Sequence, residues 1–260
     1  MKIATFNVNS INARADLIVR WLTEKNPIDV LCFQEIKCEE AKFPFEKFEA
    51  IGYECAVFGQ KAYNGVAICT KLGFEDVQKG FGDPFWDEQK RFMRARIKGV
   101  EIMNVYAPHG DIEGEKHTYK LQFFKFLKEY VQKNFDLSKE RALLVGDLNV
   151  AREDIDVWAP ELLRGTVDFM DDEREVFEDF LSVGWHDLFR ECHPQDHGFT
   201  WWDYMTAAIW RNEGMRIDYI LASDPMREHC KEIVVDLWTR RRRSPKPSDH
   251  APIVAEFDIA

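Results

Sequence analysis

An apolar run that ends in polar residues lies at 142–149, with the sequence Ala142-Leu143-Leu144-Val145-Gly146-Asp147-Leu148-Asn149. The apolar part is too short for a helix and therefore predicts a buried β-strand. Similar runs predict further strands at 3–6, 30–33, 53–58, 66–70, 102–106, 217–221 and 253–257. A chain with this many short strands is expected to build β-sheets.

Turn and helix signals complete the fold prediction. Asn64-Gly65 lies between the runs 53–58 and 66–70 and predicts antiparallel pairing, because both residues tolerate the positive φ of a tight turn. Two segments repeat apolar residues at helical spacing: Leu17, Ile18, Trp21 and Leu22, and Tyr119, Phe123, Phe126, Leu127 and Tyr130. Many strands with a few helices, without strict alternation, predict an α/β sandwich with two sheets inside and helices outside.

The composition is that of a compact globule. The chain has 260 residues, of which 45% are hydrophobic, and it shows no repeat or linker-like stretch, so we expect one domain over 1–260. Residues 1–10 have neither the basic region nor the apolar region of a signal peptide, and no stretch approaches the roughly 20 apolar residues that span a bilayer. We expect a soluble, cytoplasmic protein with no membrane partner.

The six cysteines form no Cys-x-x-Cys pair, and three of them lie inside strand-like runs. This pattern predicts reduced, buried thiols rather than a disulfide framework. The cysteines are Cys32, Cys38, Cys55, Cys69, Cys192 and Cys230.

The net charge argues against a protein held to DNA by its overall field. Thirty-five Lys and Arg face 46 Asp and Glu, which gives a formal net charge of -11. A local basic face or bound Mg²⁺ can still hold phosphates, and metal sites need carboxylates. The run Arg240-Arg241-Arg242-Arg243 predicts either such a face or a solvated loop.

Polar residues mark the ends of the predicted strands. Asn7, Glu35 and Tyr106 each close or follow a strand, as do Asp147 and Asn149. Asp218 lies near the beginning of its strand, and Asp249-His250 precede the last one. In antiparallel packing the start of one strand lies beside the end of its neighbour, so all these positions are expected on one rim of the sandwich.

These residue types suit phosphoryl hydrolysis. Glu35 and Asp249 are hard oxygen ligands for Mg²⁺, and Asp147 can act as a base. His250 can donate to a phosphate oxygen, while Asp218 can hold its other ring nitrogen. Each residue taken alone also fits a solvated loop or a turn.

Asn7, Asn149 and Tyr106 have both functional and structural interpretations. The two asparagines can orient water or coordinate a metal through their carbonyls, and they are also common turn formers. Tyr106 can contact a phosphate or serve as a core aromatic.

Six motifs are spread along nearly the whole length of the chain: Phe6-Asn7-Val8-Asn9, Leu31-Cys32-Phe33-Gln34-Glu35-Ile36-Lys37, Asn104-Val105-Tyr106-Ala107-Pro108, Gly146-Asp147-Leu148-Asn149, Arg216-Ile217-Asp218-Tyr219 and Pro247-Ser248-Asp249-His250-Ala251-Pro252. Taken jointly they are highly specific. Through them the chain resembles the exonuclease III family of apurinic/apyrimidinic (AP) endonucleases.

The resemblance implies a four-layered, DNase I-like α/β sandwich of two mainly antiparallel β-sheets packed face to face and flanked by helices. It implies Mg²⁺ dependence, with Mn²⁺ as a substitute, and incision 5′ to abasic sites that leaves a 3′-hydroxyl. It also implies 3′-phosphodiesterase and 3′-to-5′ exonuclease activity. The expected substrate is double-stranded DNA with abasic sites or blocked 3′ ends, and we expect a monomer.

Site roles follow from the resemblance position by position. The metal site is expected to comprise Asn7, Glu35, Asp147, Asn149, Asp249 and His250. The catalytic residues are expected to be Tyr106 at the phosphate, Asp147 as the base, Asn149, and Asp218 orienting His250. The resemblance also places Trp201, Met215 and Ile217 in a pocket for the extruded abasic sugar.

Three features depart from the family pattern. Asn9 stands where some relatives have Asp, and His109 stands where relatives more often present an amide, which would alter contacts with the phosphate backbone. The segment 157–166 matches the family loosely and is a candidate substrate-facing loop.

Two other functions are compatible with the fold. A phosphodiesterase acting on another phosphate substrate would lack the Trp201-Trp202 region, which is present here. A non-catalytic DNA-binding module would have a broken metal site, whereas the set of metal-site residues is complete here.

Overall fold

The structure is a computed structural model that describes residues 1–25 and 27–259; Asn26 and Ala260 lie outside the described residues. The strands are β1 Lys2–Asn7, β2 Val30–Gln34, β3 Glu54–Phe58, β4 Val66–Thr70, β5 Asp76–Lys79, β6 Phe92–Ile97, β7 Val100–Tyr106, β8 Ala142–Asp147, β9 His186–Asp187, β10 Trp201–Trp202, β11 Gly214–Met215, β12 Asp218–Ala222, β13 Cys230–Val235 and β14 Ile253–Phe257. The helices are α1 Ile11–Glu24, α2 Phe45–Glu49, α3 Pro84–Asp87, α4 Glu115–Asn134, α5 Pro160–Leu163, α6 Asp171–Leu181, α7 Leu188–Cys192 and α8 Asp224–Glu228.

Most of these strands form two six-stranded sheets. The first has the order β13-β14-β1-β2-β4-β3 and the second the order β5-β6-β7-β8-β12-β9. Each contains one parallel pair, β1 with β2 and β7 with β8, and is otherwise antiparallel. The prediction of two mainly antiparallel sheets is confirmed. β10 and β11 form a separate hairpin.

Alternating side chains build the layers. Along β1, Ile3 packs into the core between the two sheets, while Ala4 and Phe6 face outward against α1. Along β8, Val145 faces the shared core and Leu144 packs toward α4 and α6. Each sheet therefore buries both faces, which explains why its central strands are apolar runs rather than alternating ones.

The predicted hairpin and helices are confirmed. β3 and β4 pair antiparallel, and Asn64 and Gly65 adopt φ of 47° and 85° in the loop between them. The two helical patterns lie in α1 and α4. The sequence patterns missed β6 because Arg94 and Arg96 interrupt its apolar residues; both arginines pair with the buried carboxylate of Glu101 on β7.

The prediction of reduced thiols is wrong for one pair of cysteines. Cys55 on β3 lies directly opposite Cys69 on β4, and the two form a disulfide. Sequence spacing does not reveal this pairing, because only the strand register brings the two sulfurs together. Cys32 and Cys38 are buried free thiols as expected, whereas the free thiol of Cys192 is exposed.

The arginine run divides into two environments. Arg240 is only 5% exposed, and its guanidinium lies over the rings of Trp202 and Tyr204. Arg241, Arg242 and Arg243 are exposed. No helix within 1–25 and 27–259 is long and apolar enough to cross a membrane. That residues 1–260 form one domain stays a prediction.

Candidate active site

Strand register brings three of the predicted site residues side by side. Asp147, at the end of β8, lies opposite Tyr106 on one side and Asp218 on the other. Gly146 permits this close approach, because a Cβ at its φ of 145° would lie 1.9 Å from the carbonyl oxygen of Val105. The carboxylate of Asp147 is thus held at the rim where β7 and β8 end and β12 begins.

Asn7 links the two sheets at this rim. Its Nδ2 donates to Oε1 of Glu35 at 2.9 Å and to Oδ2 of Asp147 at 2.8 Å. Its Oδ1 accepts from the backbone N–H of Asn9 at 3.0 Å. The other oxygen of Glu35 lies 2.7 Å from Nζ of Lys37. Burial raises the pKa of Glu35, but Lys37 and Asn7 outweigh it, so the pKa lies below its usual value.

Asp147 is oriented through both of its oxygens. Oδ2 accepts from Asn7, and Oδ1 accepts from the backbone N–H of Asn149 at 3.0 Å. Asn149 adopts a φ of 50°, and its Nδ2 donates to the carbonyl of Ala107 at 2.9 Å. Burial, followed by the nearby charge of Asp218, raises the pKa of Asp147 well above its usual value. A carboxylate with a raised pKa is a better proton acceptor near neutral pH.

Asp218 and His250 form a buried pair. Nδ1 of His250 lies 2.8 Å from Oδ2 of Asp218, while Nε2 lies 3.8 Å from Oδ2 of Asp147. Burial lowers the pKa of His250, but Asp218 and Asp147 more than offset this and raise it to about 10. His250 is therefore an imidazolium at neutral pH, with Nε2 as a donor.

Tyr106 keeps its proton at neutral pH. Burial and then the charge of Glu35 raise its pKa well above the usual value. The guanidinium of Arg91 lies 4.9 Å from the centre of the Tyr106 ring and donates to its backbone carbonyl at 3.3 Å. Tyr106 is therefore a protonated phenol, positioned by Arg91, that can donate a hydrogen bond to an anion.

Asp249 lies on the same rim but has hydrogen-bond partners of its own. Its Oδ1 accepts from Nδ2 of Asn9 at 3.0 Å, and its Oδ2 accepts from Nε1 of Trp201 at 3.3 Å. Oδ1 of Asn9 in turn accepts from Lys37 at 2.7 Å. Asn9 therefore bridges Lys37 and Asp249.

The donor set at the rim fits a divalent cation. Among the described residues, ligand atoms of Asp147, Asp218 and His250 lie within 4.8 Å of one another. Oδ1 of Asp218 is buried and, in the described part of the chain, has no hydrogen-bond partner. Glu35 and Asp249 add two further half-buried carboxylates. Such an excess of hard oxygen donors matches Mg²⁺ or Mn²⁺.

The predicted sugar pocket corresponds in part to a cavity of about 280 Å³ beside the rim. Trp201 and Met215, which pair across β10 and β11, both line it. Ile217 instead lies in the buried apolar cluster that contains Met215. The segment 157–166 supplies Trp158 and Leu163 to the lining. Backbone pairing holds this segment in place, since Val157 bridges Met215 and the N–H of Trp158 donates to Gly214 at 3.1 Å.

Sequence reasoning missed several residues of this region. Lys37 lies two positions after Glu35 inside a quoted motif, so its charge was a signal that went unused. Arg91 carried no local signal, because it reaches Tyr106 only through the packing of distant segments. Trp158 lies in the segment 157–166, which was expected to face the substrate but without a role for any single residue.

The chain is similar to known nucleases over its full length. Residues 4–250 match the model of the endonuclease/exonuclease/phosphatase family. An exodeoxyribonuclease III from Haemophilus influenzae is 33% identical over 99% of this chain and 100% of its own. The structure of an AP endonuclease from Archaeoglobus fulgidus is 42% identical, with a TM-score of 0.95 and all of both chains covered. A structure of the 3′ phosphatase NExo from Neisseria, bound to a product DNA hairpin, is 38% identical, with a TM-score of 0.93 over 99% of each chain.

Proposed function

The chain belongs to the endonuclease/exonuclease/phosphatase family, in its exonuclease III branch, and we propose that it hydrolyses DNA phosphodiesters 5′ to abasic sites and at 3′ ends. Incision leaves a 3′-hydroxyl. The same site serves the 3′-phosphodiesterase and 3′-to-5′ exonuclease reactions, because all three break a P–O bond on a DNA strand.

The observation that carries this proposal is the environment of Asp147. Its carboxylate is 1% exposed, oriented by Asn7 and Asn149, and raised in pKa by burial and by Asp218. These are the properties of a general base that takes a proton from a water molecule. Asn149 stabilises the transition state from the adjacent position.

Donors to the phosphate lie on both sides of Asp147. Nε2 of His250, held by Asp218 on its other nitrogen, donates to a non-bridging phosphate oxygen. The phenol of Tyr106 donates to the same group. Both stay protonated at neutral pH because their pKa values are raised. A positioned donor of this kind stabilises the charge that develops on the phosphate.

We propose Mg²⁺ as the metal, with Mn²⁺ able to replace it. Glu35 and Asp147, which share the amide of Asn7, would hold it together with Asn149 and Asp249. His250, protonated on both ring nitrogens, has no lone pair for the metal and stays outside the ligand set. When bound, the ion supplies positive charge that polarises the phosphate and offsets the carboxylates. The ligands offered are oxygen-rich, which favours these ions over Zn²⁺.

Selectivity for abasic DNA comes from shape. The cavity beside Trp201 and Met215 measures about 280 Å³, and the backbone of Trp201 forms a β-bridge with that of His250. A sugar without its base enters such a slot, whereas a complete nucleotide is too large. Ile217 supports the slot from the buried cluster it shares with Met215.

The substrate is double-stranded DNA with abasic sites or blocked 3′ ends, and the protein acts as a monomer in the cytoplasm. DNA as the substrate is supported by the DNA-processing relatives named above. The monomeric state and the location remain predictions from the sequence.

One metal titration on three substrates tests the function. The substrates are a duplex with an internal abasic site, a duplex with a 3′-phosphoglycolate end and an undamaged duplex with a recessed 3′ end. Chelation is expected to stop all three reactions, and Mg²⁺ to restore them. The abasic duplex is expected to be cleaved fastest.

Glu35→Gln serves as the matched variant, since it removes charge while keeping shape. It is expected to raise the Mg²⁺ concentration needed for half-maximal rate. Full activity in excess chelator, or restoration by Zn²⁺ alone, would contradict the proposed site.

A further inference from the structure

Two free cysteines, Cys192 and Cys230, lie where α7 packs against β13. Cys192 is the last residue of α7, and Cys230 is the first residue of β13. The helix α7 follows β9, which is an outer strand of the second sheet, whereas β13 is an outer strand of the first sheet. The cysteine pair therefore lies between the edges of the two sheets.

Two flanking contacts hold the cysteine pair in place. On one side, Oε2 of Glu191 lies 2.7 Å from Nε of Arg227. On the other side, Nε2 of His193 lies 2.7 Å from the carbonyl oxygen of Ile233. Glu191 and His193 are the sequence neighbours of the first cysteine, and Arg227 and Ile233 precede and follow the second. The two thiols are thus positioned by a polar contact on each side.

The two thiols contact each other but differ in exposure. Burial, followed by the charge and the hydrogen bond of Cys192, raises the pKa of Cys230 to about 12. Cys230 is half-buried and packs against the core cluster that contains Leu188 and Phe189 of α7, whereas Cys192 is exposed. An oxidant in solution therefore reaches Cys192 first and finds Cys230 as the adjacent second thiol.

We propose that Cys192 and Cys230 form an oxidation site, at which a small-molecule disulfide converts the two thiols into a disulfide bond between α7 and β13. In the structure both thiols are free, so the site is in its reduced form. Closure would tie the outer strand of one sheet to the helix that follows the outer strand of the other. The bond would act as a covalent clasp between the two sheets.

The reaction is a thiol–disulfide exchange in two steps. Cys192, as its thiolate, attacks one sulfur of the small disulfide, forms a mixed disulfide and releases one thiolate. Because Cys192 then carries no negative charge, it no longer opposes the ionisation of Cys230, which loses its proton to solvent and attacks the Cys192 sulfur. The second thiolate leaves, and both released thiolates take up the protons that the cysteines lost. Two protein thiols are oxidised while one disulfide is reduced to two thiols.

This bond would restrain the chain more than the disulfide already present. Cys55 and Cys69 are 14 positions apart and lie on adjacent strands of a single sheet. The second bond would close a loop of about 40 residues, and a longer loop removes more conformational freedom from the unfolded chain. We therefore expect oxidation of the cysteine pair to raise the thermal stability of the protein.

Peptide mapping of the full-length protein tests whether the bond forms. The protein is fully reduced, freed of reductant and incubated under native conditions with oxidised glutathione. Free thiols are then alkylated, and trypsin is added without reductant. Trypsin is expected to release the peptides 191–211 and 228–231, each of which contains a single cysteine. After oxidation these two peptides are expected to appear as one linked species. Re-formation of the Cys55–Cys69 bond in the same sample shows that the oxidant was effective.

Thermal unfolding tests the consequence, with Cys192→Ser as the matched variant. This change removes an exposed sulfur, keeps the Cys55–Cys69 pair and prevents the second bond. The melting temperature is measured for the reduced and the oxidised form of both proteins. The increase on oxidation is expected to be roughly 5 to 10 °C larger for wild type than for the variant. Cys230→Ser is expected to behave like Cys192→Ser.

Two results would overturn the proposal. If the peptide 191–211 of wild type carries only glutathione or the alkylating group while the Cys55–Cys69 bond closes, the two sulfurs do not meet. If the linked species forms but oxidation raises the melting temperature equally in wild type and Cys192→Ser, the bond does not clasp the two sheets. Neither measurement depends on the incision of DNA, so the outcome is separate from that of the proposed function.

Discussion

Two clusters of charged residues are equally buried in this molecule, yet they are organised in opposite ways. The arginine cluster comprises Asp156, Asp187, Arg190 and Arg216, and the rim cluster comprises the proposed catalytic residues Asp147, Asp218 and His250. Asp156 and Arg216 are 0% exposed, and Asp147 and Asp218 are 1% exposed. Burial alone therefore does not distinguish a structural cluster from a catalytic one.

In the arginine cluster each charge has a partner of opposite sign. Arg216 contacts both oxygens of Asp156, at 2.7 and 3.1 Å, and both oxygens of Asp187, at 3.0 and 2.8 Å. Arg190 also donates a hydrogen bond to Oδ1 of Asp156. Burial raises the pKa of Asp156, but Arg216 outweighs it and the pKa lies below its usual value. The cluster ties the segment before Trp158 to β12.

In the rim cluster like charges face each other. Asp147 and Asp218 are opposite residues of neighbouring strands, and within residues 1–25 and 27–259 the cation paired with both of them is His250. The pKa of Asp147 is raised, in contrast to that of Asp156. Buried carboxylates that lack matching cations indicate a site that binds a cation or a proton, whereas fully matched ones indicate structural support.

Asp147→Asn is expected to have the largest effect. The rate of incision is expected to fall by about 10²- to 10⁴-fold, because the amide cannot accept the proton from water. Binding of the abasic duplex is expected to stay within a few-fold. The urea midpoint is expected to match or exceed that of wild type, since a like-charge contact is removed. Incision at a tenth of the wild-type rate or more would falsify the role of Asp147 as base.

Arg216→Met tests the other cluster. It is expected to cost about 3 to 5 kcal/mol of unfolding free energy, because Asp156 and Asp187 would remain buried without their partner. The control is Arg227→Met, whose ion pair with Glu191 joins side chains that are 50% and 34% exposed. That change is expected to cost about 0 to 1 kcal/mol. Equal costs for the two variants in urea unfolding would remove the distinction between the clusters.

The smallest expected effect is on how the free energy of unfolding depends on pH, and it has opposite signs in the two clusters. The folded pKa of Asp156 is lowered, so its contribution to stability is present above the unfolded value of about 3.9 and is lost as pH falls through the folded pKa. The folded pKa of Asp147 is raised, so ionisation of Asp147 destabilises the fold, and this cost disappears as pH falls from the raised value toward about 3.9.

Unfolding free energies measured in EDTA from pH 8 to pH 3 check these signs. Asp147→Asn is expected to be more stable than wild type at pH 8. This gain in stability is expected to shrink as the pH is lowered and to be gone by about pH 3.9. Asp156→Asn is expected to be less stable, with the deficit constant down to about pH 3.9 and shrinking only below it. Two differences of the same sign at pH 8 would contradict the assignment.

Most central strands were predictable because their signal is local. β2, β4, β8 and β14 are contiguous apolar runs buried on both faces. β6 was not predicted because Glu101, the partner of its Arg94 and Arg96, lies on another strand. β13 was not predicted because it is an edge strand with exposed polar residues, Lys231 and Glu232. Asn104 is a similar case: it is fully buried between the sheets, where it bonds Gln34 and the carbonyls of Phe33 and Ala67.

The candidate site was predictable residue by residue but not as a network. The motif residues Asn7, Glu35, Asp147, Asp218 and His250 do meet on one rim. Their roles stay predictions until the variants are measured. The motifs did not contain three neighbours of the site. These are Trp158, which lines the cavity, Arg91, whose charge lies beside Tyr106, and Asp168, which pairs with His109.

The sequence by itself determined the family, the two-sheet architecture and the identity of the chemical groups at the strand ends, because these depend on residue types and short spacings. The tertiary structure decided which charges are matched. Arg216 meets Asp156 across 60 positions and Asn7 meets Asp147 across 140. It also decided that Cys55 meets Cys69 as a disulfide. Charge balance, pKa and covalent pairing depend on distances of a few ångströms, which arise only when strand register and sheet packing bring distant segments together.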